Sequence, residues 1–175
     1  MHAARHVAAL LLILLAWTVP AAAAPYKADP GPFAVESVLG TWHDAARERD
    51  VPYKLYLPAG APGARAVVVF SHGLGGSREA AGYLGQHLAS WGYVAVHIQH
   101  PGSDESVWAG LVGREAVIAA LKEAVKDVRV SLDRFRDVPF VVDQLELMTA
   151  PGGALAGRLD LTRLGMSGPS ARSPR

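Results

Sequence analysis

The chain has 175 residues, 17 Lys+Arg against 16 Asp+Glu for a formal net charge of +1, and 50% hydrophobic residues. That is enough apolar material for one folded domain and lies far from the composition of disordered chains. The near balance of charge excludes a nucleic-acid-binding footprint, which needs a concentrated basic excess; the absence of Cys excludes disulfides, thiolate-held zinc and a thiol nucleophile.

Residues 1–23 read as a signal peptide. Arg5 precedes the apolar run 8–19, and Pro20 and the alanines 21–24 follow, which is the charged, apolar and small-residue order of a secretory leader. The run is shorter than the roughly 20 residues that span a bilayer. The expectation is a secreted or periplasmic protein with no stable membrane anchor after cleavage.

Beyond a Pro-rich lead-in at 25–32, residues 53–57 (YKLYL) alternate as a half-buried strand does. Residues 66–70 (AVVVF) form an all-apolar, β-branched run, the pattern of a strand covered on both faces. A Gly-rich loop at 71–77 leads into a helix predicted over 79–91, with Leu84, His87, Leu88 and Trp91 on one face. Residues 94–98 (VAVHI) repeat the buried-strand pattern. Residues 115–128 carry Val117, Ile118, Leu121, Val125 and Val128 at helical spacing. A further helix is predicted over 137–148, because Pro139 is tolerated only in a first turn. Residues 163–166 would be a third buried strand. Asp44 to Asp50 reads as a solvated mixed-charge stretch, Trp42, Trp91 and Trp108 as core or pocket walls, and Asp104 as the cap of a Pro-Gly turn. The alternation of strands and helices predicts an α/β fold, a mostly parallel sheet with flanking helices.

Two segments point to chemistry. Ser71-His72-Gly73-Leu74-Gly75-Gly76 lies between a buried strand and a helix, where glycines let backbone N–H groups point outward. In such sheets ligands bind beyond the carboxyl ends of the strands. A free N–H there, such as that of Leu74, can receive a developing oxyanion; a plain strand-to-helix turn fits the loop equally. The second segment, LGMSGPS, ends at Ser170 and resembles the start of a nucleophile elbow, although the fifth motif position is Arg172 where G-x-S-x-G requires Gly.

Together, FSHGLGGS (70–77), YLGQHLASWGYVAVHIQHPGSD (83–104), LDRFRDVPFVVDQLE (132–146) and LDLTRLGMSG (159–168) resemble the α/β-hydrolase superfamily, in the branch of predicted dienelactone hydrolases and platelet-activating factor acetylhydrolases. The resemblance implies a serine carboxylic-ester hydrolase that acts on a small-molecule ester and needs no cofactor and no metal. In its register Ser170 matches the nucleophile, and the N–H groups of Leu74 and Ala171 match the oxyanion hole.

The resemblance runs from about Val51 to Gly168 within a partial α/β-hydrolase domain expected over 24–168, the N-terminal part of such a domain, and residues 169–175 read as an aberrant tail. Hydrolases of this type take acid and His from after the nucleophile, yet all seven histidines lie at position 100 or earlier. With no Asn and 13 Arg against 4 Lys, the composition is that of GC-rich coding DNA. The expectation is a frameshifted or truncated esterase with little activity, whose Ser170 is either the true nucleophile or a chance out-of-frame residue. A sheet ending there would leave an unpaired strand edge and a poorly stable chain. Two other classes remain: a non-catalytic binding fragment, and a metal site formed by His72, His97 and His100.

Overall fold

The computed structural model describes residues 28–169, so residues 1–23, expected to be a signal peptide, and the residues Ser170 and Ala171 lie outside the described residues. In chain order the elements are β1 (Val35–Asp44), β2 (Arg49–Pro58), β3 (Arg65–Ser71), α1 (Gly82–Ser90), β4 (Val94–Ile98), one 3-10 turn at Glu105–Val107, α2 (Arg114–Lys126), α3 (Val128–Thr149) and β5 (Leu159–Ser167). They build one sheet in the order β1-β2-β4-β3-β5. β1 and β4 pair antiparallel with β2, whereas β4 and β5 pair parallel with β3. The fold is α/β with helices on both faces of a mixed sheet.

The two β-branched runs occupy the middle of the sheet, as their composition requires, and every residue of β4 is buried. Side-chain alternation along the strands divides the core in two. Val51, Leu55, Val67, Val69, Val96 and Ile98 face α3, where Val141 and Leu145 meet them. Tyr56 and Ala95 face α1 and pack against Ala89. Twelve buried apolar residues form the first cluster and three the second. At about 1.5–3 kcal/mol for each large side chain buried, the α3 side supplies most of the apolar stabilisation.

Several local expectations change. The strand expected at 53–57 extends over Arg49–Pro58, because β1, which the sequence reading did not include, pairs with its whole length. α1 is shorter than 79–91, and its buried residues are the small Gly85, Ala89 and Ser90, while Leu84, His87 and Leu88 are only half-buried. α2 has no buried residue, and its stripe is open at Ile118 and Val125. α3 begins nine residues earlier than 137, which places Pro139 inside the helix. β5 pairs on one side with β3 and is mostly exposed rather than a buried central strand. The stretch from Asp44 to Asp50 is no solvated run: it turns β1 into β2 and sends Arg47 and Arg49 inward to a buried carboxylate.

Candidate active site

The carboxyl ends of β3 and β4 carry the chemistry. β3 ends at Ser71, whose alternation with Val67 and Val69 aims its side chain toward α3. His100 lies just beyond β4. α3 crosses both ends and contributes Arg134 and Asp137, which lie on one side of the helix at a spacing of three.

Asp137 is fully buried and accepts four hydrogen bonds. Arg47 Nη1 (2.8 Å) and Arg49 Nε (2.9 Å) donate to Oδ1, and Arg49 Nη2 (3.0 Å) and His100 Nδ1 (2.9 Å) donate to Oδ2. Burial alone would raise the carboxyl's pKa, but the bonds from His100, Arg49 and Arg47 outweigh it and hold it at about 2. Asp137 is therefore an anion at neutral pH. A carboxylate only accepts, so the His100 proton sits on Nδ1 and Nε2 keeps its lone pair. Burial also lowers the His100 pKa, which the bond to Asp137 opposes only in part, so the ring is neutral. Ser71 Oγ lies 2.8 Å from His100 Nε2 and donates its proton into that lone pair.

Arg134 completes the group from the other side. Its Nη2 donates to Ser71 Oγ at 3.1 Å and to the His72 carbonyl, and its Nη1 donates to Ser103 Oγ at 2.7 Å. His72 is held at both nitrogens: Nε2 accepts the His100 N–H at 3.0 Å, and Nδ1 donates to the Gly73 carbonyl at 2.6 Å. Burial pushes the His72 pKa down to about 4.

The Gly-rich loop expected to carry an oxyanion donor is braced on every side. Gly75 N–H donates to the Ser103 carbonyl at 2.8 Å, and Trp108 Nε1 donates to the Gly75 carbonyl at 2.7 Å. Gly75 has φ +74°, a left-handed backbone conformation that selects glycine. Asp104 acts as the expected cap, accepting from the Ser106 N–H and from Gln99 Nε2 at 2.7 Å.

These residues border a cavity of about 820 Å³, lined by Ser71, Gly73, Leu74, Arg134, Gly168 and Pro169 among others. At Gly168 a Cβ would lie 2.5 Å from the Ser71 carbonyl oxygen, so the end of β5 runs against the end of β3. The cavity thus joins Leu74 with the residues that lead to position 170; Ser170 and Ala171 themselves lie outside the described residues. The alternative of a metal site at His72, His97 and His100 is not met, because the three rings do not converge. His97 points to the α1 face, where it packs on Tyr56 and Phe70 and hydrogen-bonds the Ala80 carbonyl at 3.1 Å. Among the described residues no group of three His, Cys, Asp or Glu side chains could hold a metal ion.

The sequence reading did not single out Ser71, Arg134, Asp137, Arg47 or Arg49 as members of one site. The available signal was the helical spacing of Arg134 and Asp137, polar residues on a helix whose neighbours Val138 and Val141 pack inward.

A mixed sheet flanked by helices, with a cavity bounded by a Gly-rich loop at the carboxyl ends of its strands, is the architecture of an α/β-hydrolase-like protein. The family model of platelet-activating factor acetylhydrolase, isoform II, matches residues 49–138, and the chain belongs to that family. A solved ferulic acid esterase from Streptomyces cinnamoneus is similar at 24% identity with a TM-score of 0.49, over 83% of this chain and 54% of its own. The chain thus spans about half the length of that esterase. No curated protein matches the chain.

Proposed function

We propose that the protein is a secreted or periplasmic carboxylic-ester hydrolase for small-molecule esters, with its reaction centre in the cavity at the ends of β3 and β5. In this reading Ser170 is the nucleophile, and the N–H groups of Leu74 and Ala171 receive the oxyanion. Acyl transfer of this kind needs no cofactor: the serine oxygen adds to the carbonyl, a base takes its proton, and fixed N–H dipoles stabilise the charge that forms.

The supporting observation is that Leu74 and Pro169, the residue before Ser170, border the same cavity. The Gly-rich loop and the approach to position 170 are within contact range, since a Cβ at Gly73 would lie 3.1 Å from Pro169 Cγ. The test is hydrolysis of p-nitrophenyl acetate and butyrate by the purified full chain and by Ser170→Ala. With no His after Ser170 to act as its base, the 175-residue chain is expected to hydrolyse these esters slowly, and Ser170→Ala to remove the rate that remains. Equal rates in the two proteins would remove Ser170 from the mechanism.

A further inference from the structure

Of the side chains that line the cavity, only Arg134 is charged at neutral pH, because burial keeps His72 neutral. We propose that this end of the cavity binds the carboxylate of an amphiphile, a fatty-acid-type anion whose head pairs with Arg134 and whose chain lies along the apolar walls. Occupancy needs no hydrolysis and no residue beyond 169, although the site shares its cavity with the ester chemistry proposed above.

Arg134 lacks a counter-ion. Its Nη1 donates to Ser103 Oγ at 2.7 Å, and its Nη2 donates to Ser71 Oγ at 3.1 Å and to the His72 carbonyl, all neutral oxygens. The carboxylates beside it on α3 have other partners. Both oxygens of Asp137 are taken by Arg47, Arg49 and His100, and Asp133 stands 3.8 Å from Arg49 and 4.0 Å from Arg47. Among the described residues Arg134 therefore has no ion-pair partner. Burial lowers its pKa, opposed only by the charge of Asp137, which is the direction for a half-buried cation with no anion bonded to it. It remains a cation at neutral pH all the same.

The guanidinium is also held ready. A guanidinium has five N–H donors, so two remain beyond the three bonds it makes. Ser71 Oγ and Ser103 Oγ give their own protons to His100, at Nε2 (2.8 Å) and at the carbonyl (3.2 Å), and turn lone pairs toward Arg134. These bonds fix the side chain at the wall, so little rotamer freedom is left to lose when an anion pairs with it. A carboxylate between apolar walls is costly unless it is paired and hydrogen-bonded, and this cation supplies both.

The remaining walls select the rest of the ligand. Leu74, Val125, Val130, Met166 and Pro169 are apolar, and no carboxylate lines the cavity to repel an anion. Its volume of about 820 Å³ lies within the roughly 300–1,000 Å³ of small-molecule sites. One positive charge matches one negative charge. A carboxylate carries one, whereas a phosphate monoester carries about 1.5 to 2 at neutral pH and meets no second cation on this wall.

The experiment titrates the full chain with dodecanoate below its micelle concentration in a calorimeter, beside dodecanol and dodecyl phosphate, which keep the chain and change the head. Dodecanoate is expected to occupy one site about tenfold or more tightly than dodecanol, and no more weakly than dodecyl phosphate. Equal affinity for acid and alcohol would overturn the proposal, because chains would then bind exposed apolar surface without regard to the head. A preference for dodecyl phosphate would overturn the carboxylate assignment. Arg134→Met should abolish the preference for acid over alcohol. Lys126→Met removes a cation that pairs with Glu123 and does not line the cavity, and it should leave that preference unchanged. The reverse pattern in the two variants would place the anion elsewhere. A diazirine analogue of dodecanoate, photolysed on the wild-type chain and mapped by mass spectrometry, should label Leu74, Val125, Val130 or Met166. Labelling confined to residues outside the cavity would overturn the site, and this map decides the matter even where Arg134→Met fails to fold.

Discussion

At Asp137 one carboxylate receives bonds from Arg47, Arg49 and His100, and a change there should propagate to β2, to the loop after β4 and to α3 together. Asp137→Asn keeps the shape but removes the charge and turns an acceptor into a donor that faces guanidinium donors. Breaking a buried pair from one side costs about 3–5 kcal/mol. Arg47 retains its bond to Asp44, and Arg49 stays within 3.8 Å of Asp133, so the lower end of that range is expected in a urea unfolding titration. The histidines add a pH dependence of defined sign. His72 falls from its ordinary 6.5 to about 4 on folding, and His97 and His100 are also lowered by burial. The unfolded chain therefore binds more protons in that window, so the stability is complete above about pH 6.5 and is lost as pH falls toward 4. Asp137 acts further down: its contribution is complete above 3.8 and is lost as pH falls to about 2. The urea midpoint should drop steadily from pH 7 to 4, and His72→Gln should flatten part of that slope. A midpoint independent of pH across this range would contradict the neutral buried state of these rings.

α3 and β1 mark how far elements could be read in advance. The centres of β3 and β4 were legible because apolar β-branched runs leave little alternative. β1 was missed because it is an edge strand: Val35, Leu39 and Trp42 are diluted by Glu36, Ser37, Gly40 and Thr41, and most of its side chains are half-buried or exposed. The inward turn of Arg47 and Arg49 was equally hidden, since their partner Asp137 lies 88–90 positions away, beyond any local spacing rule. α3 begins before the position that the sequence predicts, because a first turn is the usual place for a residue such as Pro139. It sits instead at an exposed interior position, with Phe135, the residue whose carbonyl would have paired with its missing N–H, also exposed. The burial of Val141 and Leu145 after the proline and the bonds of Asp137 and Arg134 before it hold the helix through that gap. The Asp127 side chain caps the start, accepting from the Arg129 N–H at 2.8 Å. Pro139→Ala restores one helical hydrogen bond and should raise unfolding free energy by about 1–3 kcal/mol. A loss of stability would mean that the surrounding packing requires the proline geometry.

Over the whole molecule the middle of the sheet and its β5 end differ in how well they are closed. The interior between β2, β4, β3 and α3 is sealed, yet the surface around β5, α2 and the first half of α3 keeps large apolar side chains in water. Phe135 is 77% exposed, Val125 64% and Met166 60%. Among the described residues β5 bonds to β3 alone, and its outer edge has no strand partner there beside Leu164 and Met166. An exposed apolar strand edge is a template for pairing with another chain, and natural sheets suppress this with charge at the edge. Arg163 supplies little such protection, because its guanidinium is engaged by Asp160 within the same strand. The 175-residue chain should therefore associate as its concentration rises, detected by light scattering, and should bind an apolar dye such as ANS while folded. Met166→Lys introduces charge beside the free edge without touching the buried cluster around Val141 and Leu145, so it should reduce both signals with little change in unfolding free energy. A monodisperse, ANS-silent wild-type chain would show that this surface is covered in solution. A Met166→Lys variant that associates as strongly as wild type would move the contact away from β5, to the open face of α2.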